Sequence, residues 1–281
     1  MKNNPPFLLL PIESENPVKR YFLLLLLTFI IFSMPLAPFA FDADADVSPF
    51  FDGFEGCFVL MNLQSGKTLQ HNPTRCDKRM PPCSTFKVPH ALIALELGVV
   101  KNPEDVMKWD GTPQPIKPWN RDHNFFSAME FSVVWYFQRI AEQVGWEQER
   151  NYVTAFDYGN QTVDGNLTTF WLDKGPLEIT ANEQIAFLKK FHYGKLPVSK
   201  QHIDTVKKAM VFKESDEYIL RGKTGSGRLD QGGGWGWYVG VLERGGDAYL
   251  FATNIEGKDA MGSTARETTI KILNQLRLIE D

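Results

Sequence analysis

The chain has 281 residues, 43% of them hydrophobic and 23% charged, which is ordinary for a globular protein and enough for one large domain or two small ones. Its formal net charge of −4 gives no reason to expect nucleic acid or an anionic membrane surface as a partner. The five histidines are scattered, and neither Cys-x-x-Cys nor His-x-x-x-His spacing occurs, so the sequence predicts no metal site.

The N-terminus has the pattern of an export signal. Lys19-Arg20 precede an uncharged, strongly apolar stretch over residues 21–41, in which serine, prolines and alanines follow the most apolar part. A basic region, an apolar core and a small-residue exit are typical of a signal peptide, so residues 1–40 are predicted to direct export, with cleavage at Ala37 or Ala40. The same stretch is just long enough to anchor the chain in a membrane, and this alternative stays open.

Export would permit disulfide bonds between the three cysteines. Cys57 opens one predicted strand and Cys76 follows the next, so a hairpin could bring them opposite each other. Spacing alone does not fix the geometry of such a bond, and whether the two pair is left open. Cys83 is predicted to be a small buried residue and not a nucleophile, because no histidine lies near it in sequence to act as a base.

The predicted elements place strands at both ends of the chain and helices between them. Residues 57–62 and 67–70 form a hairpin, and strands at 218–224, 235–242 and 248–255 follow near the C-terminus, the last two joined as a hairpin through residues 243–246. Helices are predicted at 88–97, 125–144, 148–156, 180–192, 199–211 and 261–278. Loops are predicted at 109–120 and 158–174, where Gly, Pro and Trp punctuate the chain.

Hairpins imply antiparallel pairing. The predicted fold class is therefore α+β, an α/β sandwich in which one antiparallel sheet, built from both chain ends, is flanked by helices. An all-helical subdomain of about residues 101–211 is inserted between the two groups of strands, within one domain of residues 41–281. A cleft is expected where the two halves meet, which is a usual place for binding sites.

The stretch around Ser84 is the first candidate for chemistry. Ser84 and Lys87 are three residues apart, so on a helix or a 3₁₀ turn both side chains project from one face, and a hydroxyl lies beside an amine. The apolar run that follows predicts a buried helix that ends at Gly98. Pro89 inside this run indicates a tight first turn before the helix proper. Taken alone, the pattern also fits an ordinary buried helix that begins at a serine N-cap.

Seven short motifs follow one another in a specific order along the chain. They are Pro82-x-Ser84-Thr85-Phe86-Lys87, Lys108-Trp109-Asp110-Gly111, Trp119-x-Arg121-Asp122, Ser132-x-Val134, Tyr158-Gly159-Asn160, Phe170-Trp171-Leu172 and Lys223-Thr224-Gly225. Ser-x-x-Lys with a later Lys-Thr-Gly is the signature of penicillin-interacting serine enzymes. In order and spacing, from about residue 55 to the C-terminus, the set resembles the class D serine β-lactamases.

The resemblance implies the fold of the β-lactamases and transpeptidases, and hydrolysis of β-lactam antibiotics through a serine acyl-enzyme. Ser84 would attack the strained amide, Ser132 would pass a proton to the leaving nitrogen, and Lys223 would sustain the local positive potential. Thr224 and Arg266 would bind the substrate carboxylate, for which a guanidinium is well suited. The backbone N–H groups of the nucleophile and of Ser226 would form the oxyanion hole.

Lys87 is the candidate general base, although an ordinary lysine is protonated at neutral pH. Burial among Phe86, Val134 and Trp171 would favour its neutral form. The resemblance implies that this amine then adds CO₂ and becomes N6-carboxylysine, held by the indole N–H of Trp171, which can only donate. CO₂ or bicarbonate is therefore the only cofactor expected. Class D is preferred to class A because Ser132-Val133-Val134 replaces Ser-Asp-Asn and no Glu-x-x-Leu-Asn occurs.

Two other functions stay open on the sequence. One is a penicillin-binding peptidase or a β-lactam sensor domain, which would be acylated and would not turn over. The other is a non-catalytic exported binding module, against which the intact Ser84, Lys87, Ser132 and Lys223 argue. The expected partner is a small β-lactam, with no nucleic acid and no metal, and with the membrane only through an uncleaved leader. A periplasmic location in a Gram-negative cell is predicted, as a monomer or homodimer.

Overall fold

The computed structural model describes residues 41–280. The signal peptide or anchor predicted for residues 1–40 lies outside the described residues. Within residues 41–280, no helix combines the length and the apolar character that crossing a membrane requires.

One antiparallel sheet of six strands forms the centre of the described part. The strands are β1 (Glu55–Asn62), β2 (Thr68–His71), β3 (Val211–Glu214), β4 (Tyr218–Arg228), β5 (Gly234–Arg244) and β6 (Asp247–Gly257). Their order in the sheet is β2-β1-β6-β5-β4-β3. The two ends of the chain meet because β1 pairs with β6 along its whole length. The predicted α+β fold class, with a sheet built from both chain ends, is confirmed.

Both faces of the sheet are buried, and the side chains of β6 alternate between two separate cores. Tyr249 and Phe251 belong to the core on one face, whereas Leu250 and Ala252 belong to the core on the other. This is why β5 and β6 are nearly continuous apolar runs in the sequence. The predicted hairpin between them turns at Gly245-Gly246, whose φ angles of 59° and 83° suit a tight two-residue turn.

Helices cover both faces of this sheet. Seven α-helices occur in the described part, namely α1 (Pro73–Cys76), α2 (Lys87–Glu96), α3 (Phe125–Glu130), α4 (Val134–Phe156), α5 (Ala181–His192), α6 (Lys200–Ala209) and α7 (Gly262–Gln275). Helix α5 packs against β6 and β1, and α7 packs against β5, β4 and β6. Their buried residues belong to different cores, Phe187 of α5 to one and Ile272 of α7 to the other. The sheet is therefore the middle layer of a sandwich.

The single helix predicted for residues 125–144 is wrong at its centre. Helix α3 ends at Glu130 and α4 begins at Val134, so Ser132 lies in the connection and not inside a helix. The φ angle of Ser132 is 56°, in the left-handed region that residues other than glycine rarely adopt. Helix α4 then continues through a kink at Gly145, whose φ is 76°, so the predicted second helix is its C-terminal half.

The helix predicted to run to residue 211 is also wrong at its end. Helix α6 stops at Ala209, and Val211 begins the short edge strand β3. This strand pairs only with residues 219–221 of β4. Gly222 N–H still bonds to the carbonyl of Met210, so the open edge of β4 on the β3 side runs from Lys223 to Arg228.

All three cysteines are buried free thiols. The thiols of Cys57 and Cys76 form a hydrogen bond with each other, which raises the pKa of Cys57 and lowers that of Cys76. Cys83 is fully buried, as predicted.

A histidine and a glutamate are buried side by side where α2 meets the C-terminal half of α4. His90 Nε2 lies 2.8 Å from Glu149 Oε1, and both side chains are 0% exposed. The imidazole is packed among the rings of Phe86, Phe137 and Trp171. The pair therefore lies in the same apolar core that surrounds the candidate site.

We expect Glu149→Ala to lower the free energy of unfolding by about 1–3 kcal/mol, because it leaves the imidazole of His90 buried without its polar neighbour. Urea denaturation followed by circular dichroism measures this loss. The double variant His90→Leu/Glu149→Leu is the matched control and should recover most of it, since two apolar side chains need no partner. A loss below about 1 kcal/mol in the single variant would contradict this account.

Candidate active site

The candidate nucleophile lies in a 3₁₀ turn, Cys83–Phe86, that leads directly into α2. Lys87 Nζ donates to Ser84 Oγ over 2.7 Å, so the structure brings the two groups together on one face as their spacing predicts. Pro89 is the third residue of α2, where a missing N–H costs nothing because the first four N–H groups of a helix have no intrahelical partner. Cys83, immediately before Ser84, has a left-handed φ of 48°.

Three side chains that the sequence motifs do not include hold the turn that carries Ser84. The indole N–H groups of Trp235 and Trp237 both donate to the carbonyl of Pro81, at 3.3 and 3.1 Å. The side-chain amide of Gln184 donates to Thr85 Oγ1 at 3.0 Å. The available signal was the spacing of the two tryptophans, which places both on one face of a strand.

Lys87 is enclosed by protein on all sides. Its side chain is 0% exposed, and its Nζ lies 5.4 Å from the centre of the Phe137 ring. Burial, and secondarily the positive charge of Lys223, lowers the pKa of Lys87 well below the usual value for a lysine. No carboxylate among the described residues forms an ion pair with it. The amine is therefore held towards its neutral form.

Trp171 belongs to the aromatic cluster that also contains Phe137, the ring that Lys87 contacts. Its ring stacks on Phe86 with 5.7 Å between centroids, and its centroid lies 5.2 Å from that of His90 in an edge-to-face arrangement. The buried indole Nε1 has no hydrogen-bond partner among the described residues. An unpaired buried donor costs about 1–3 kcal/mol, so this N–H indicates a place for an acceptor.

Ser132 and Lys223 connect the helical part to the sheet. Lys223 Nζ donates to Ser132 Oγ at 2.9 Å and to the carbonyl oxygen of Thr224 at 3.2 Å. Burial, followed by repulsion from the charge of Arg266, lowers the pKa of Lys223 to about 7. The left-handed backbone of Ser132 closes the end of α3, where Ser132 N–H donates to the carbonyl of Met129 and Val133 N–H to that of Ala128, and this turn presents the hydroxyl to Lys223.

The open edge of β4 directs backbone N–H groups into the cleft. Gly222 N–H donates to the carbonyl of Met210, on the β3 side. β4 pairs with β5 without a break in register, so the N–H groups of alternate residues, including Thr224 and Ser226, point the same way. The strand also approaches the Ser84 turn closely, because a Cβ on Gly225 would lie 2.7 Å from the carbonyl oxygen of Pro82.

A cleft of about 640 Å³ opens beside the Ser84 turn, Ser132 and the second half of β4. Its polar lining includes the hydroxyls of Ser84, Ser132, Thr224 and Ser226. Its apolar lining includes Ile116, Trp119, Phe131, Val134, Phe170 and Leu172. Within residues 41–280, no three His, Cys, Asp or Glu side chains are grouped so that they could hold a metal ion.

Arg266 is the predicted site residue that lies on α7. Like Lys87, Trp171 and Lys223, it is not among the residues that line the cleft. Its guanidinium lies over the ring of Phe212, 4.6 Å from the centroid. It is nevertheless close enough to lower the pKa of Lys223 by charge repulsion.

With the fold and site in place, the class of protein can be assigned. The chain belongs to the family described as penicillin binding protein transpeptidase domain, which it matches over residues 56–275. It is 41% identical to β-lactamase OXA-48 of Klebsiella pneumoniae over 227 residues, which are 80% of this chain and 84% of that protein.

Solved structures agree with this assignment. A class D β-lactamase from Bacillus subtilis matches with a TM-score of 0.80 and 37% identity, over 85% of this chain and 98% of the other. The C-terminal domain of the Bacillus licheniformis BlaR penicillin-receptor matches with a TM-score of 0.81 and 37% identity, over 84% and 96% of the two chains. The resemblance to class D β-lactamases is confirmed, and the similar proteins include a receptor as well as enzymes.

Proposed function

We propose that the protein hydrolyses β-lactam antibiotics through an acyl-enzyme formed on Ser84. The observation that carries the proposal is the 2.7 Å contact between Ser84 Oγ and the fully buried Lys87 Nζ. Because burial lowers the pKa of that amine, its neutral form is favoured, and a lysine must be neutral before it can act as a base or add CO₂.

Attack of Ser84 on the lactam carbonyl creates negative charge on the carbonyl oxygen. The N–H of Ser226, which points from the open edge of β4 into the cleft, is suited to stabilise it together with the N–H of Ser84. The hydroxyl of Ser132 receives a hydrogen bond from Lys223 and can pass its own proton to the leaving nitrogen. The hydroxyl of Thr224 and the guanidinium of Arg266 are proposed to bind the carboxylate.

We further propose that Lys87 is carboxylated by CO₂ when the enzyme turns over. The unpaired indole N–H of Trp171 supports this, because a carbamate oxygen on Lys87 would give that buried donor an acceptor. The group would supply a carboxylate-like base for the water that releases the acyl chain. The rings of Phe86 and Trp171 keep the pocket apolar, which favours the neutral amine that CO₂ requires.

We also propose that the protein is exported to the periplasm and that a small β-lactam is its only required partner. The second candidate function is a sensor domain that stays acylated, and the similarity to the BlaR penicillin-receptor domain favours it.

Steady-state assays with a chromogenic cephalosporin separate these functions. We expect sustained turnover, since both a nucleophile and a base for deacylation are at hand, and we expect none from the matched control Ser84→Ala. A burst of one equivalent followed by a stable acyl-enzyme would favour the sensor instead. If neither turnover nor acylation is seen by mass spectrometry, the catalytic proposal is wrong.

A further inference from the structure

The cleft continues along β4 beyond the groups assigned to acylation. Arg228, the last residue of β4, lines the cleft together with Thr224 and Ser226. We propose that Arg228 makes this protein selective for β-lactams whose acylamino side chain carries a second anionic group. This inference rests on the proposed function and names a substrate class for the same site.

The three residues are evenly spaced along one strand. Thr224, Ser226 and Arg228 alternate in β4, so their side chains leave the same face and their N–H groups point to the same open edge. At about 3.3 Å per residue, Arg228 begins about 7 Å beyond Ser226 and about 13 Å beyond Thr224.

The order of groups along a penicillin or cephalosporin matches this order along the strand. The ring carboxylate is attached on the nitrogen side of the lactam amide, whereas the acylamino side chain is attached on the carbonyl side. When the carboxylate is bound at Thr224 and the carbonyl oxygen at the N–H of Ser226, the side chain is directed towards Arg228. A carboxylate on the first carbon of that side chain then comes within reach of the guanidinium.

The charges around Arg228 leave its guanidinium available to a ligand. Arg228 is exposed, and no carboxylate among the described residues pairs with it. Of the other charged residues that line the cleft, Lys174 is paired with Asp230 at 2.7 Å, and Asp173 accepts a hydrogen bond from the thiol of Cys83 at 3.6 Å. An arginine fork suits a carboxylate because it can donate two parallel hydrogen bonds.

Benzylpenicillin and carbenicillin are the probes, because they differ by a single carboxylate on the side-chain carbon. For Arg228→Ala, we expect kcat/KM for carbenicillin to fall about tenfold while that for benzylpenicillin changes less than about twofold, since one charge-assisted contact is removed. Arg228→Glu should lower the carbenicillin value further, and Arg228→Lys should retain part of it. The matched control Lys174→Ala removes a cleft-lining cation already paired and should leave the ratio of the two substrates unchanged.

The rate of Ser84 acylation, followed by mass spectrometry, gives the same ratio without requiring turnover. If hydrolysis is absent but acylation by carbenicillin still depends on Arg228, the proposed hydrolase function fails and the selectivity stands. If both penicillins react and their ratio is the same in the parent protein and in Arg228→Ala, the selectivity is overturned. If neither penicillin acylates the protein, both are overturned.

Discussion

Replacing Lys87 with alanine is expected to reduce hydrolysis of a chromogenic cephalosporin by about a thousandfold, within the range that general bases contribute. The reason is its 2.7 Å contact with Ser84 Oγ from a pocket that holds the amine towards its neutral form. Steady-state kcat/KM measures the loss, with the melting temperature as a check on folding.

The dependence on CO₂ tests the chemistry assigned to this amine. Because only the neutral amine can add CO₂ and burial lowers its pKa, the active form should be present at neutral pH and lost as the pH falls. Removing dissolved CO₂ should suppress turnover of the parent protein and added bicarbonate should restore it, whereas Lys87→Ala should not respond at any bicarbonate level. Full activity of CO₂-free protein from acidic to neutral pH would show the carboxylation to be wrong.

Trp171→Phe should lower kcat about 10- to 100-fold at ambient CO₂ and raise the bicarbonate concentration needed for half-maximal activity. Phenylalanine keeps a ring against Phe86 but removes the indole N–H, and a hydrogen bond to a charged group contributes about 1.5–3 kcal/mol. Bicarbonate titrations of turnover measure the shift.

Trp146→Phe is the matched control for that variant. Its ring lies 6.4 Å from Phe170, within the neighbouring aromatic packing, but Lys87 forms its ring contact with Phe137 instead. The bicarbonate requirement should therefore stay at the parent value in Trp146→Phe. An unchanged bicarbonate requirement in Trp171→Phe would show that the indole N–H does not stabilise a carbamate on Lys87.

Local spacing was enough to predict the Ser84–Lys87 arrangement, because side chains three residues apart on a helical turn meet without help from the rest of the fold. Ser132 could not be placed this way. Its sequence surroundings favour a continuous helix, because the left-handed residue that ends α3 is a serine and not the glycine that usually marks such an end. Backbone bonds from Ser132 N–H to Met129 and from Val133 N–H to Ala128 close this helix end, and the Lys223 that its side chain meets lies 91 residues further along the chain.

Arg228 was not predicted as a site residue because the C-terminal end of β4 was predicted too early. The strand was predicted to end at Thr224, because Gly225 and Gly227 lower the strand propensity of residues 225–228. In the structure, β5 pairs with β4 as far as Arg228, and the glycines are needed for close approach to the Ser84 turn and to the ring of Trp235. Arg228 becomes a site residue only through this long-range pairing. Its role could not be inferred from its neighbours in sequence.

The shortness of β3 sets sheet stability against catalysis. Helix α6 ends at Ala209 and β3 begins at Val211, so no backbone remains to cover β4 beyond Gly222. A variant whose last turn of α6 unwound to lengthen β3 would gain main-chain pairing and fill the groove with its own polypeptide. We expect such a variant to be more stable to heat but inactive, because its own backbone would block the cleft. Selection for thermal stability alone should therefore favour loss of turnover at the open edge of β4.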